Sequence, residues 1–194
     1  MANEPASDHA TPDAAQAAAE IGARLADRGI DYAVGGALAL GCWTARPRST
    51  IDADVNLFIP PDDTDRCLDL LRDVGCQFDW AAATGTLRSH GFCRVDYRGR
   101  QVDFFLPITE FHEEARRRRA AIDFDGFPLY VLDAESICVF KLMFFRLQDL
   151  ADIEALLRAQ GDRLDRPWIE HQIEQLFGAR DPRLARWREL AAAT

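Results

Sequence analysis

Along the chain, apolar residues recur at helical spacing, switch to alternation, and return to helical spacing, and each change of period marks an element. Thr11-Pro12-Asp13 opens a helix with a capping hydroxyl, an early proline and an acid, and Gly29 closes it after about Arg28. Ile30 to Val34 is a short apolar strand that stops at Gly35-Gly36, and Ala37 to Trp43 is helical until Arg46-Pro47. From Thr50 to Ile59 the pattern alternates, with Ile51, Ala53, Val55 and Leu57 on one face and Asp52, Asp54, Asn56 and Phe58 on the other. Pro60-Pro61-Asp62-Asp63 opens a helix carrying Cys67, Leu68, Leu70, Leu71 and Val74, which Gly75 ends.

Cys76 to Trp80 reads as a strand and residues 81–90 as a loop of small residues. Gly91 to Tyr97 and Gln101 to Leu106 alternate about Arg98-Gly99-Arg100, the pattern of a β-hairpin. Thr109 to Ala121 is a charged helix, residues 123–126 form a turn, and Phe127 to Leu132 is a last strand. Asp133 caps a helix holding Ile137, Phe140, Phe144 and Leu147, and Asp149 caps another that ends at Gly161. Arg166-Pro167 and Asp181-Pro182 start two more. The order predicts an α/β (α+β) fold: a leader over 1–12, a mixed-sheet core over 13–132, and a C-terminal helical region over 133–194 packed on it.

Composition narrows the class. The chain has 194 residues, 48% hydrophobic and 28% charged, in the range of folded globular proteins. No apolar run approaches the roughly 20 residues that span a bilayer, and the polar, acidic N-terminus lacks the marks of a secretory signal. Five scattered cysteines without a CxxC pair fit reduced thiols in a cytoplasm, and four histidines without HxxxH or HExxH spacing exclude the common zinc motifs. A net charge of −9 argues against coating nucleic acid by bulk electrostatics, though not against a local basic patch. The basic residues are 22 arginines and one lysine, Lys141.

Asp52 and Asp54, at i and i+2 on a strand, project from the same face. Such a pair is either a solvated edge or a place where a divalent cation resolves the repulsion, and hard oxygen ligands favour magnesium. Asp103 is out of phase with Val102, Phe104 and Leu106, so it shares the polar face of its strand and can complete a three-carboxylate cluster. Gly35-Gly36, entering a helix, exposes backbone N–H groups suited to a phosphate tail, or is a plain tight turn. No Gly-Lys-Ser/Thr follows and GxGxxG is absent, which excludes a Walker loop and a Rossmann fingerprint. Lys141 is either a lysine whose stem covers apolar neighbours while it pairs with Asp152 or Asp149, or a compact phosphate contact. Arg116 to Arg119 form either a solvated helix face paired with Glu113 and Glu114 or, with Arg98 and Arg100, a contact for RNA phosphates.

Strand–Gly-Gly–helix followed by Arg48-x-Thr50-x-Asp52-x-Asp54, and later Lys141-Leu-Met-Phe-Phe-Arg146-Leu-Gln-Asp149-Leu-Ala-Asp152, resembles the nucleotidyltransferase superfamily related to DNA polymerase β. The closest flavour is the AbiEii-type and MenT-type toxin nucleotidyltransferases, over residues 30 to 157. The resemblance implies that Gly35 and Gly36 embrace a triphosphate with Arg48 and Thr50 nearby. It implies that Asp52, Asp54 and Asp103 hold two magnesium ions, and that Lys141 meets the nucleotide with Asp152 and Arg146 in support. Ala37 departs from the serine of many relatives, and the gap from Gly36 to Asp52 is slightly long for the superfamily at large.

The implied activity is transfer of a nucleoside monophosphate from an NTP to an acceptor hydroxyl with release of pyrophosphate. The toxin flavour implies RNA, the tRNA 3′ end above all, and an antitoxin protein as partner. The alternatives are an antibiotic nucleotidyltransferase acting on an aminoglycoside or lincosamide hydroxyl, and a non-catalytic nucleotide-binding module.

Overall fold

The computed structural model describes residues 11–44, 50–60, 62–124 and 126–194. Its centre is a mixed six-stranded sheet: β1 (Tyr32–Val34), β2 (Asp52–Leu57), β3 (Phe92–Tyr97), β4 (Arg100–Phe105), β5 (Ala120–Phe124) and β6 (Phe127–Val131). The strand order is β3-β4-β2-β1-β6-β5. β1 runs antiparallel to β2 and parallel to β6, while β2 runs parallel to β4. The predicted α/β class and its helical C-terminal region are therefore observed.

Alternation along the strands decides which face becomes core. Ala53, Val55, Leu57, Cys93, Val95, Val102 and Phe104 are buried on one face. Across it lies α1 (Ala14–Ala26), which packs on β1, β2, β4 and β6. Its N-terminus carries a capping box: Asp13 accepts the Gln16 N–H at 2.8 Å, and the Gln16 side chain accepts the Asp13 N–H at 3.1 Å. The opposite face carries the polar set of β2 and β4. Beside it stand α2 (Gly36–Thr44), α6 (Ala134–Phe144) and α7 (Leu147–Gln160), which pack on one another. α3 (Thr64–Asp73) packs on the helix that follows it, while α8 (Arg166–Phe177) and α9 (Pro182–Ala192) close the C-terminal layer. Among the described residues no helix is long and apolar enough to cross a membrane.

Three predicted elements differ. The strand expected over residues 76–80 is reduced to one bridge, Gln77 to Asp96, and the loop expected over 81–90 is a helix, α4 (Trp80–His90). Asp79 supplies the start by accepting the Ala82 N–H at 2.8 Å, and Gly91 in the left-handed conformation supplies the stop. Between those caps the alanines are good helix formers, so smallness here signals helix rather than loop. The long charged helix over 109–121 divides into α5 (Phe111–Arg118) and β5, which pairs with β6. The predicted cap at Asp149 shifts by one turn: α7 begins at Leu147, and Asp149 reaches back to accept the Arg146 N–H at 3.1 Å.

The hairpin forms with a tighter turn than predicted. Arg98 (φ 54°) and Gly99 (φ 84°) are both left-handed, as a two-residue turn that matches strand twist requires. Tyr97 then pairs with Arg100, and the register carries Arg94 opposite Asp103 and Phe92 opposite Phe105.

Candidate active site

The carboxylates meet because β2 and β4 run side by side in register. Asp54 pairs directly with Asp103, and Asp52 lies beside Gln101 on the same sheet face. Thr50 fixes the first of them, donating its hydroxyl to the Asp52 carboxylate at 2.8 Å and to the Asp52 carbonyl at 3.1 Å. Its place is therefore behind Asp52. Arg48, expected near the phosphates, lies outside the described residues.

The two glycines bring the start of α2 onto Asp54. The Gly35 N–H donates to the Asp54 carbonyl at 2.8 Å, and Gly36 is left-handed with φ +55°. A Cβ at Gly36 would lie 1.8 Å from Asp54 Oδ2, so the carboxylate fills the space that a side chain would need. Burial, then the charges of Asp52 and Asp103, push the Asp54 carboxyl up to about 6, and Lys141 and Arg146 pull it part of the way back.

Of the two roles weighed for it, Lys141 shows the paired one. Its ammonium donates to Asp152 Oδ2 at 2.8 Å and to Asp149 Oδ1 at 3.2 Å, both on α7 and both buried. Gln148 holds the other Asp152 oxygen at 2.9 Å, and Arg146 grips Asp149 at 2.7 Å. Burial raises the Asp149 carboxyl, but the bonds from Arg146 and Lys141 outweigh that and hold it below the usual carboxylate range. The connection bends sharply at Phe145, a left-handed residue (φ 56°) that caps α6. One cationic pair, Lys141 and Arg146, is thus fixed by buried acids within electrostatic reach of Asp54.

Asp103 is engaged by a residue the sequence reading did not single out. Arg94 on β3 donates to both its oxygens, each at 2.7 Å, in a bidentate pair. That pair raises the Arg94 guanidinium further above its already high range. The signal was present in the hairpin: a two-residue turn at Arg98-Gly99 sets Arg94 across from Asp103.

The arginine run is held by the protein itself. Arg116 pairs with Asp31 and Glu113, Arg117 with Glu113 and Glu114, and Arg119 with Asp31 while lying 4.9 Å from the Tyr130 ring centre. Arg118 joins Asp133 and Glu135 and stacks 4.2 Å from the centre of Trp168. Arg98 pairs with Glu20, and Arg100 donates to the carbonyls of Pro12 and Ile51.

Among the described residues, no three His, Cys, Asp or Glu side chains stand close enough to hold a metal ion. Asp52 and Asp54 nevertheless fit one. Both offer hard oxygens on one face, their charges repel, and magnesium commonly takes one or two carboxylates and completes its shell with phosphate oxygens and water. Both oxygens of Asp103 are engaged by Arg94.

No curated protein matches the sequence significantly. Among solved structures, the antibiotic-resistance factor ANT(2'')-Ia in solution aligns at 12% identity over 90% of this chain and 86% of its own, with TM-score 0.51. ANT(2'')-Ia in complex with adenylyl-2''-tobramycin aligns at 13% identity over 88% and 94%, with TM-score 0.53. The lincosamide adenylyltransferase LnuA, lincomycin-bound, covers 68% of this chain and 89% of its own at 12% identity and TM-score 0.43. The first two establish a shared fold. A family model described as nucleotidyl transferase of unknown function (DUF2204) matches residues 14–186, nearly the whole described chain, and the protein therefore belongs to that nucleotidyltransferase family.

Proposed function

We propose that the protein transfers a nucleoside monophosphate from an NTP to an acceptor hydroxyl in a magnesium-dependent reaction. The observation that carries this is the meeting of Asp52 and Asp54 with the left-handed Gly36 at the start of α2. Acidic groups for a cation and an open helix N-terminus for a phosphate tail lie against each other. Magnesium, bound by Asp52, Asp54 and the phosphates, would supply charge neutralisation at the α-phosphate and the leaving pyrophosphate.

The chain's own groups have separate tasks. The first turn of α2 receives the triphosphate by backbone N–H groups, the Gly35 N–H being already given to the Asp54 carbonyl. Lys141 and Arg146 counter the negative charge gathering on that side, held in place by Asp149 and Asp152. Asp103, once free of Arg94, is positioned beside Asp54 to take the proton from the attacking hydroxyl. The bidentate pair keeps that base masked until an acceptor arrives.

The acceptor divides the remaining readings. A toxin acting on the tRNA 3′ end, with an antitoxin partner, rests on the motif resemblance. Arg98 and Arg116 to Arg119 are engaged by acids of the protein and would reach RNA only by giving up those partners. An antibiotic acceptor is the second reading, favoured by the fold shared with ANT(2'')-Ia. The test of the chemistry is incubation with each α-labelled NTP, magnesium, and either total RNA or an aminoglycoside panel. Wild-type protein should move label to one acceptor class. Asp52→Ala and Asp54→Ala should lose that transfer by about 10³-fold or more. Near-normal transfer by either variant in saturating magnesium would refute the assignment.

A further inference from the structure

Next to the carboxylates, on the same sheet face, lies an aromatic ledge that the chemistry above does not use. Phe92 on β3 and Phe105 on β4 are cross-strand partners, and their rings stack with centroids 5.9 Å apart and planes 25° from parallel. Phe105 is two residues beyond Asp103, and Phe92 two residues before Arg94, so alternation puts all four side chains on one face. The ledge thus begins about 7 Å from the masked base, two strand residues away.

Both rings are half-buried. Among the described residues, the half-buried apolar side chains that pack on the core do not include these two. The exposed His90 ring meets Phe92 edge-on at 6.1 Å, and Ile108, 59% exposed, stands over Gly91 at the ledge's end. β3 is the outermost strand of the sheet, bordered by the Gln77–Asp96 bridge and by α4. A stacked pair of phenylalanines left on a catalytic face has a flat apolar surface to offer, and a cation, Arg94, at its border.

We propose that Phe92 and Phe105 form the acceptor subsite and that they stack the heterocyclic base of a nucleoside or nucleotide. This rests on the nucleotidyltransfer reading above and names its acceptor class. Flat π-systems gain from stacking on aromatic rings whatever their sequence. A base seated on the ledge lies within a nucleoside's length of Asp103, so its ribose hydroxyls can reach that carboxylate. Its phosphate meets Arg94, whose guanidinium can then leave the Asp103 carboxylate for the anion. Acceptor binding and unmasking of the base become one event. A polycationic aminosugar has no flat ring to stack and meets a like charge at Arg94, so the ledge does not suit it.

The experiment uses the full chain and cytidylyl-(3′→5′)-2-aminopurine riboside, whose fluorescence falls when the base stacks. Wild-type protein should quench the dinucleotide saturably. Phe92→Leu and Phe105→Leu should each weaken its binding about tenfold. Phe92→Tyr, which keeps the ring, should stay within about twofold of wild type and guards against a Leu variant that folds poorly. Binding of N-methylanthraniloyl-ATP should be unchanged in all three. An unchanged dinucleotide affinity in Phe92→Leu would overturn the proposal, and so would displacement of the dinucleotide by tobramycin. Displacement of the labelled ATP by the dinucleotide would place it in the other pocket and overturn it equally. Failure of the wild-type protein to bind any of the four N-methylanthraniloyl-labelled NTPs in magnesium would instead count against the nucleotidyltransfer reading, whatever the ledge variants do.

Discussion

Replacing Gly36 with alanine separates two costs that usually arrive together. The first is conformational: Gly36 is left-handed at φ +55°, and a Cβ in that region costs about 1–2 kcal/mol. The second is a collision, since the new methyl carbon would stand 1.8 Å from Asp54 Oδ2 and 2.6 Å from its carboxyl carbon. The colliding atoms are the end of a side chain rather than backbone, so the protein can relieve the clash by rotating Asp54 away. Folding then loses little beyond the conformational term. For a chain of this size that corresponds to a melting temperature lower by about 2–8 °C. Catalysis loses far more, because a displacement of about 1 Å in a reacting group is worth about 10²-fold in rate. Gly29→Ala is the control: Gly29 is left-handed at φ +66°, and a Cβ there meets nothing within 4 Å. It should lose similar stability and keep full activity. The assays are label transfer from the NTP under saturating magnesium and a thermal melt of each variant. If Gly36→Ala melts a few degrees low but transfers label as fast as Gly29→Ala, Asp54 does not need its observed position, and its assignment as a metal ligand fails.

Three further outcomes follow from the same geometry. His112 is buried, bonded to the Thr109 hydroxyl at 3.0 Å, and burial lowers it from 6.5 to about 4. Its folded value is lower than its unfolded one, so its contribution is complete above about 6.5. It is lost as pH falls toward 4, and amounts to up to about 3 kcal/mol. Denaturant melts of His112→Phe should show a flatter acid limb across that window, and an unchanged limb would refute the buried neutral ring. Lys141→Met should cost about 3–5 kcal/mol of stability in urea melts, because it leaves Asp149 and Asp152 buried without their shared cation. A variant as stable as wild type would show that the pair of acids does not rely on Lys141. Arg94→Ala should speed label transfer to a small alcohol several-fold over wild type, since the guanidinium no longer holds the Asp103 carboxylate. An unchanged or lowered rate would show that the pair does not mask a base.

What the sequence made legible was whatever a single strand or a single helix end decides. Alternation alone put Asp52 and Asp54 on one face, and the glycines after β1 announced the entry to a helix. Caps decided more than composition did. Asp79 and Gly91 turned an apparent loop of small residues into α4, and Arg119, extended at ψ 141°, ended α5 so that β5 could form. The features that escaped were those set by register between strands. Arg94 and Phe92 look unremarkable in a run of alternating residues. They acquire a meaning only when the Arg98-Gly99 turn fixes which residue of β4 each one faces.

The arginine run shows the same dependence from the opposite side. Four successive arginines in an acidic chain look like a surface for phosphates. Yet the local Glu113 and Glu114 pair with Arg116 and Arg117, and the distant Asp31, Asp133 and Glu135 come back to pair with Arg116, Arg118 and Arg119. Charge in sequence is local, whereas charge on a surface is what remains after distant acids have paired. Beside the carboxylates the cations are paired as well: Lys141 and Arg146 with Asp149 and Asp152 on one side of Asp54, and Arg94 with Asp103 next to two stacked phenylalanines on the other. On the proposed reading, the first side would face the triphosphate and the second the acceptor. The acceptor's chemistry is therefore to be sought on β3 and β4, where ring and cation meet, rather than along α5.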